Sequence, residues 1–412
     1  MAATQTFSDS SLPAAPAGAG LLVSLSPLAG DALDSLLANL ATAFPDRSLL
    51  VATPDPAPPT LPASGRIQVE TYVPAAPASS AGWVLTAADY LNTWKLMQEH
   101  SSPACLLLGH EAQSLAPEAL RAIADGITAG DADLSSPHYS LGPRDGLVNS
   151  AILYPVTRAL FGTRPRYPLA IDLAFSRRMV QRLAVCSQKF TATGQNAAIV
   201  WPMAEAASVG YAITETPIGP RALPPPDSAD LNALLALVAG SFFADIDAKA
   251  SFWQRARLAY SPKAAAARVE GAPESPAPPE PPDVQPMLDS FRLAYTNLHE
   301  IWSLVLPPNS LLGLKKLSLM TPAAFRMPDA LWARIVYDFI LAYRLRTINR
   351  GHLLGALTPL YLAWVASHLL LASGTGPESI APEKHIETLA TAFETDKPYL
   401  VSRWRWPDRF NP

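Results

Sequence analysis

Short, wholly apolar runs alternate with amphipathic segments between residues 21 and 129, and this alternation leaves few folds open. Leu21–Leu25, Ser48–Thr53 and Ala104–Leu108 read as strands covered on both faces, and Arg66–Tyr72 alternates as a half-buried strand does. Between and after them, Asp31–Phe44, Thr86–His100 and Pro117–Ala129 carry apolar residues at helical spacing. Asp31 is placed as an N-cap and Pro117 in a first turn. Strands that alternate with helices predict an α/β domain with a mainly parallel sheet. Ligands of such sheets sit at the carboxyl ends of the strands.

The ends and the second half read differently. Residues 1–19 are rich in Ala, Pro, Gly and Ser and are expected to be disordered. Residues 20–260 form the α/β domain in this reading, 261–286 a proline-dense linker, and 287–412 an α-helical C-terminal region. That region shows helical patterns at Met287–Leu306, Pro328–Asn349, Leu353–Ala372 and Pro382–Glu394, and an aromatic tail at Trp404 and Trp406 expected to dock on the body. Leu353–Ala372 reaches the length of a membrane span, but Thr358, Pro359, Ser367 and His368 interrupt it. A buried core helix fits better, so no transmembrane segment is expected; a peripheral membrane anchor at this helix is the weaker alternative. The first residues show neither a basic region nor an apolar run of signal-peptide length. Cys105 and Cys186 lie in apolar context and read as free thiols, which together with the missing signal points to a cytoplasmic location. A net charge of -4 leaves no electrostatic footprint for nucleic acid.

The segment from Asp145 to Arg177 holds polar residues at fixed offsets within apolar sequence, the pattern of a loop placed over a site. It begins with Asp145, Gly146 and Asn149, continues as YPVTRALFG from Tyr154 to Gly162, and reaches Asp172 inside an apolar run. This order of parts resembles the acceptor-side half of retaining, nucleotide-sugar-dependent glycosyltransferases of the GT-A fold. It is most similar to the glucosyl-3-phosphoglycerate synthase and mannosylglycerate synthase group, which is glycosyltransferase family 2-like. The resemblance implies a GT-A-like nucleotide-sugar-binding domain over residues 20–260, a nucleotide sugar as donor and a small acidic, glycerate-type acceptor. It places Asp145, Asn149, Tyr154, Thr157 and Arg158 on the acceptor side, with Arg158 one helical turn from Tyr154. Asp172 becomes the contact to the donor sugar and, with Arg158, a catalytic candidate, although Asp172 also reads as the N-cap of a helix over Leu173–Leu183. Arg158 equally reads as a surface ion pair.

The same resemblance shows what the chain lacks. The group ends an apolar strand in Asp-x-Asp, which holds a divalent ion, Mg²⁺ or Mn²⁺, that neutralises the leaving diphosphate. Here the position reads Gly109-His110-Glu111, so Glu111 alone keeps a carboxylate as metal ligand and donor contact. Asp131 and Asp133 form a literal Asp-x-Asp nearby, in a context that reads as a solvated turn. The family's metal-binding His corresponds to Leu223, and Arg221 beside it could hold a diphosphate without metal or be an exposed loop arginine. Ala170 and Ile171 replace two glycines before Asp172, and Asp55 is a candidate contact to base or ribose.

No P-loop, HExxH, CxxC or Gly-x-Ser-x-Gly pattern occurs. Two readings therefore stand: a hexosyltransferase with a degenerate metal site, or a noncatalytic glycosyltransferase-fold relative acting as a binding or scaffold protein. A homodimer built through the apolar C-terminal helices stays open.

Overall fold

The computed structural model describes residues 20–28, 30–54, 66–74, 82–224, 230–255, 282–373 and 380–406. The expected disorder of residues 1–19, most of the linker and Asp55 lie outside these residues.

Seven strands form one sheet: β1 (Leu21–Leu25), β2 (Leu49–Thr53), β3 (Ile67–Thr71), β4 (Ala104–Leu108), β5 (Leu134–Ser140), β6 (Asp172–Ser176) and β7 (Ile213–Pro220). Their order is β3-β2-β1-β4-β6-β5-β7. All pairs are parallel except those of β6, which runs against both β4 and β5. β1, β2 and β4 are buried at every position, which is why they lack polar alternation. Helices α1 (Gly30–Ala43), α2 (Ala87–Glu99), α3 (Pro117–Thr128), α4 (Tyr154–Phe161), α5 (Arg177–Thr191) and α6 (Pro202–Val209) connect and flank the strands. α2 opens on a capping box in which Thr86 and Asp89 satisfy each other's backbone. Asp31 falls inside the first turn of α1 rather than at its N-cap.

The second half is helical. α7 (Leu231–Ala248), α8 (Ala250–Trp253), α9 (Gln285–Asn297), α10 (His299–Val305), α11 (Pro308–Ser318), α12 (Asp329–Leu345), α13 (Arg350–Ala372) and α14 (Pro382–Arg405) follow in order. The single helix expected over Met287–Leu306 is two, because the backbone turns at Leu298. α14 runs eleven residues past the expected Glu394 and carries Trp404 into contact with Trp253, ring centroids 4.9 Å apart. The α/β domain with a mainly parallel sheet and the helical C-terminal region thus both form as expected.

Two large apolar cores hold the described residues together, besides a small cluster of Ala88, Leu91 and Ala184 between α2 and α5. One lies around the sheet. The other joins the C-terminal helices to α4, α6 and α7. α13 is its centre: Leu353, Leu357, Leu360 and Ala363 are fully buried. This helix and α7 are long and apolar enough to cross a membrane, yet most of α13's apolar window is packed inside the protein. Its apolarity all round is that of a core helix. Trp302 and Trp332 anchor the core by donating their indole N–H to Ala356 and Ala151 carbonyls at 2.9 and 2.8 Å.

A buried histidine pair crosses this core. His368 Nδ1 lies 2.7 Å from His385 Nδ1, and His385 Nε2 lies 3.1 Å from Asp329. His385 donates to the carboxylate through Nε2, and in its neutral form its Nδ1 accepts while His368 Nδ1 donates. Burial, then the neighbouring His385 and Arg166, push the His368 pKa from 6.5 down to about 3. The folded value is depressed, so His368 stabilises the fold above pH 6.5 and loses that contribution as the pH falls toward 3. Urea titrations are expected to show stability falling by up to about 1.4 kcal/mol per pH unit between pH 6.5 and about 3 from this residue. His368→Phe should reduce the slope.

Candidate functional site

Four loops meet at the carboxyl edge of the sheet. β6 starts at Asp172, which pairs across the strands with Leu108, the last residue of β4. Tyr139 lies at the end of β5 opposite Gly219, and Arg221 follows the last residue of β7. The antiparallel direction of β6 therefore brings its first residue to the place where the parallel strands end. Leu173–Ser176 is strand, not helix: the N-cap of α5 is Ser176, whose hydroxyl accepts from Met179 N. The N-cap reading of Asp172 is thus replaced by a strand position.

Asp172 and Arg221 face each other with both side chains fully buried. Arg221 Nε and Nη2 donate to the two carboxylate oxygens at 2.9 and 3.1 Å. Tyr139 OH donates to the same carboxylate at 3.0 Å and Gly109 N at 3.3 Å. The remaining donors of Arg221 reach the His110, Glu111 and Ala222 carbonyls and the Ser114 hydroxyl at 2.6–3.0 Å. Burial pulls the Arg221 pKa down, but the Asp172 carboxylate outweighs it and holds the guanidinium charged. Burial and the Asp172 charge push the Tyr139 phenol well above its ordinary value. Arg221 is accordingly no exposed loop arginine: it ties the ends of β4, β6 and β7 together from inside.

The neighbouring glycine is part of this closure. A Cβ at Gly109 would lie 2.8 Å from Ile171 Cβ, so the space of a side chain at 109 is filled by Ile171. Glu111 stands apart in a left-handed conformation (φ 60°), exposed, and accepts from Gln113 Nε2 at 2.7 Å. The divalent ion implied by the sequence resemblance does not fit these donors. Gly109 offers no ligand, the Asp172 lone pairs are taken by cationic and neutral donors, and a guanidinium occupies the centre. Among the described residues no three His, Cys, Asp or Glu side chains converge on a cation site. Asp133, read from sequence as a solvated turn, is buried and holds Arg178 at 2.5 and 2.6 Å, Ser176 and the Ala212 amide.

The segment 145–177 forms a second cluster. Asp145 is an exposed turn residue beside Gly146, whose φ of +62° a side chain would strain. Asn149 is buried, and its side-chain Oδ1 accepts from Leu169 N at 3.0 Å, which pins the loop that leads to Asp172. A π-helical stretch over Asn149–Leu153 then enters α4. Tyr154 and Arg158 do lie together, with Arg158 Nη1 3.2 Å from the phenol oxygen. They face α14: Arg158 donates to Glu394 at 2.9 and 3.0 Å and to Glu387 at 2.6 Å, and Tyr154 donates to Glu387 at 2.5 Å. The Arg158 side chain is only 7% exposed, so its ion pairs are buried on the arginine side, not surface contacts. Burial lowers its pKa, but the Glu394 hydrogen bonds, Tyr154 and Glu387 outweigh that and raise it. Thr157 is enclosed, and its hydroxyl finds no hydrogen-bond partner among the described residues.

Sequence reasoning missed Arg166. It is buried, donates to Glu383 at 3.0 and 3.2 Å and to Ser150 at 2.8 Å, and packs against the Tyr154 and Tyr167 rings. The signal lay in α14, where Glu383, Glu387 and Glu394 fall at spacings of four and seven and so share one helix face. Tyr139 was also missed, because nothing in Leu134–Ser140 marks its hydroxyl as a partner of Asp172.

The chain matches no family model, and no curated protein resembles it in sequence. Solved structures of glucosyl-3-phosphoglycerate synthase from Mycobacterium tuberculosis resemble it in part. A complex with phosphoglyceric acid is 18% identical at a TM-score of 0.33 and covers 56% of this chain and 81% of its own. A complex with Mn²⁺, uridine-diphosphate-glucose and phosphoglyceric acid is 18% identical at a TM-score of 0.34, covering 57% and 81%. A complex with Mn²⁺, uridine-diphosphate and glucosyl-3-phosphoglycerate is 17% identical at 0.34, covering 58% and 86%. A likeness this distant assigns no activity and no residue to the chain.

Proposed function

We propose that this protein is a noncatalytic relative of nucleotide-sugar glycosyltransferases, a binding or scaffold protein on a GT-A-like framework. The buried Asp172–Arg221 pair carries this reading. In the sequence resemblance Asp172 contacts the donor sugar and the end of β4 holds the metal. Here Asp172 already accepts from three groups, and the guanidinium at the strand ends spends its donors on the protein itself. A buried ion pair of this kind keeps its partners only because both are satisfied, and opening it would strand a charge. On the acceptor side, Arg158 is likewise engaged by Glu387 and Glu394. Two sites closed by internal partners support binding through another surface better than group transfer.

The second reading is a hexosyltransferase acting on a small acidic acceptor, with Mg²⁺ or Mn²⁺ at Glu111. One observation favours it: Glu111 and Asp145 both expose carboxylates in loops that follow strands at the sheet's carboxyl edge. Calorimetric titration with UDP, GDP and their glucose and mannose conjugates, with and without Mn²⁺, separates the two. No binding at millimolar concentration, with a melting temperature indifferent to chelator, is the expected result. Binding that requires Mn²⁺ would overturn the noncatalytic reading and make Glu111 a metal ligand. Metal-independent binding would remove the closed site on which the reading rests, and would mean that Arg221 releases Asp172 to take the diphosphate.

A further inference from the structure

We propose that α11 and the helices packed on it, α9 and α10, form a contact site for an anionic lipid bilayer. Four leucines in this segment are more than half exposed: Leu293 on α9 (64%), Leu304 on α10 (59%), Leu312 on α11 (52%) and Leu319 just beyond it (78%). The three helices pack against one another. Single exposed leucines are ordinary, but here four fall within one unit of three packed helices.

The charge on this unit names the partner. Leu312, Lys315, Lys316 and Leu319 follow the spacing of one helix face, and all four are exposed. The face thus alternates apolar side chains with lysines whose long stems reach outward while the leucines enter an apolar layer. Residues 301–328 contain Lys315, Lys316 and Arg326 and no Asp or Glu, whereas α9 pairs Asp289 with Arg292 and α10 carries Glu300, so among the described residues the unit's unpaired positive charge lies on α11 and the segment after it, in a chain whose net charge is -4. An acidic protein that clears one segment of carboxylates presents that segment, and not the rest, to a negative surface. Beside the stripe, α11 and the start of α12 enclose a groove of about 340 Å³. Its walls include Leu317, Met320 and Leu331, with Lys316 and Arg334 among its polar lining, a lining suited to an acyl chain below an anionic headgroup. Arg334 is shared with Asp396, whereas Lys316 has no ion pair among the described residues. The weaker sequence expectation of an anchor at Leu353–Ala372 is replaced by this surface, since α13 is spent on the core.

The test is cosedimentation of the full-length protein with vesicles of phosphatidylcholine alone and of phosphatidylcholine mixed with phosphatidylglycerol. Wild type is expected to pellet with the anionic vesicles only. Lys315→Ala with Lys316→Ala should lower the partition coefficient roughly 25-fold, from about 1 kcal/mol per lysine at an anionic surface. Leu312→Ser with Leu319→Ser should lower it at least about tenfold. All four positions are exposed, and unchanged thermal melting confirms that the variants fold. The proposal is overturned if wild type fails to pellet, if it pellets equally with neutral vesicles, or if neither double variant weakens binding. It is equally overturned if sedimentation velocity shows a dimer that the leucine variant abolishes while vesicle binding is absent, for the patch would then be a contact between copies of this chain.

Discussion

Arg221→Ala is expected to destabilise the protein by about 3–5 kcal/mol, the range for removing one partner of a buried ion pair. The reason is local. Asp172 is fully buried, and without Arg221 its carboxylate keeps only the Tyr139 hydroxyl and the Gly109 amide. The carbonyls of His110 and Glu111 lose their donor at the same time, so the loop after β4 is freed. Urea unfolding measures the cost. Adding Asp172→Asn to Arg221→Ala should recover much of the loss, because the stranded charge is gone and a neutral amide remains to pair with Tyr139. A double-mutant cycle then gives the coupling of the pair. A small effect for Arg221→Ala alone would mean that the strand ends open to water readily, and the closed-site reading would lose its support.

The second large effect is expected at the contact between segment 145–177 and α14. Glu387→Gln with Glu394→Gln leaves the Arg158 guanidinium, whose side chain is 7% exposed, without a counter-charge. A loss of about 2–3 kcal/mol is expected, at the level of charge-assisted hydrogen bonds. It stays below the Arg221 figure because Glu387 is half exposed and glutamine can still accept from the arginine. Thermal melting with added inorganic phosphate provides a further readout. Phosphate that stabilises this variant and not wild type would show that α14 supplies, from within the chain, an anion that Arg158 otherwise takes from solution. No difference would make the contact purely structural.

These variants bear on how the fold and the site were legible. The strands from β1 to β4 and helices α1 to α3 were readable to within a residue or two, because burial on both faces leaves unbroken apolar runs and helices keep their own period. β6 was misread as helix because Leu173–Leu183 mixes strand and helix without a turn residue, and Ser176 caps within the run. Tyr154 and Arg158 were placed on one face correctly, since four residues apart on a helix is a local relation. Their partners lie more than two hundred positions away in α14, and no local rule reaches that far.

The alternating α/β pattern of the first half, the helical character of the second, and the lack of side-chain ligands at Gly109 and Leu223 are all written in the residues as they stand along the chain. Those are properties of period and residue type. That Ile171 fills the space beside Gly109, that Arg221 turns inward to Asp172, and that α14 covers Arg158 emerges only once the chain is folded. Each of these is a pairing between segments brought together by the sheet order or by helix packing. A buried charge must be satisfied by whatever group the fold delivers to it, and the identity of that group is a fact of three dimensions.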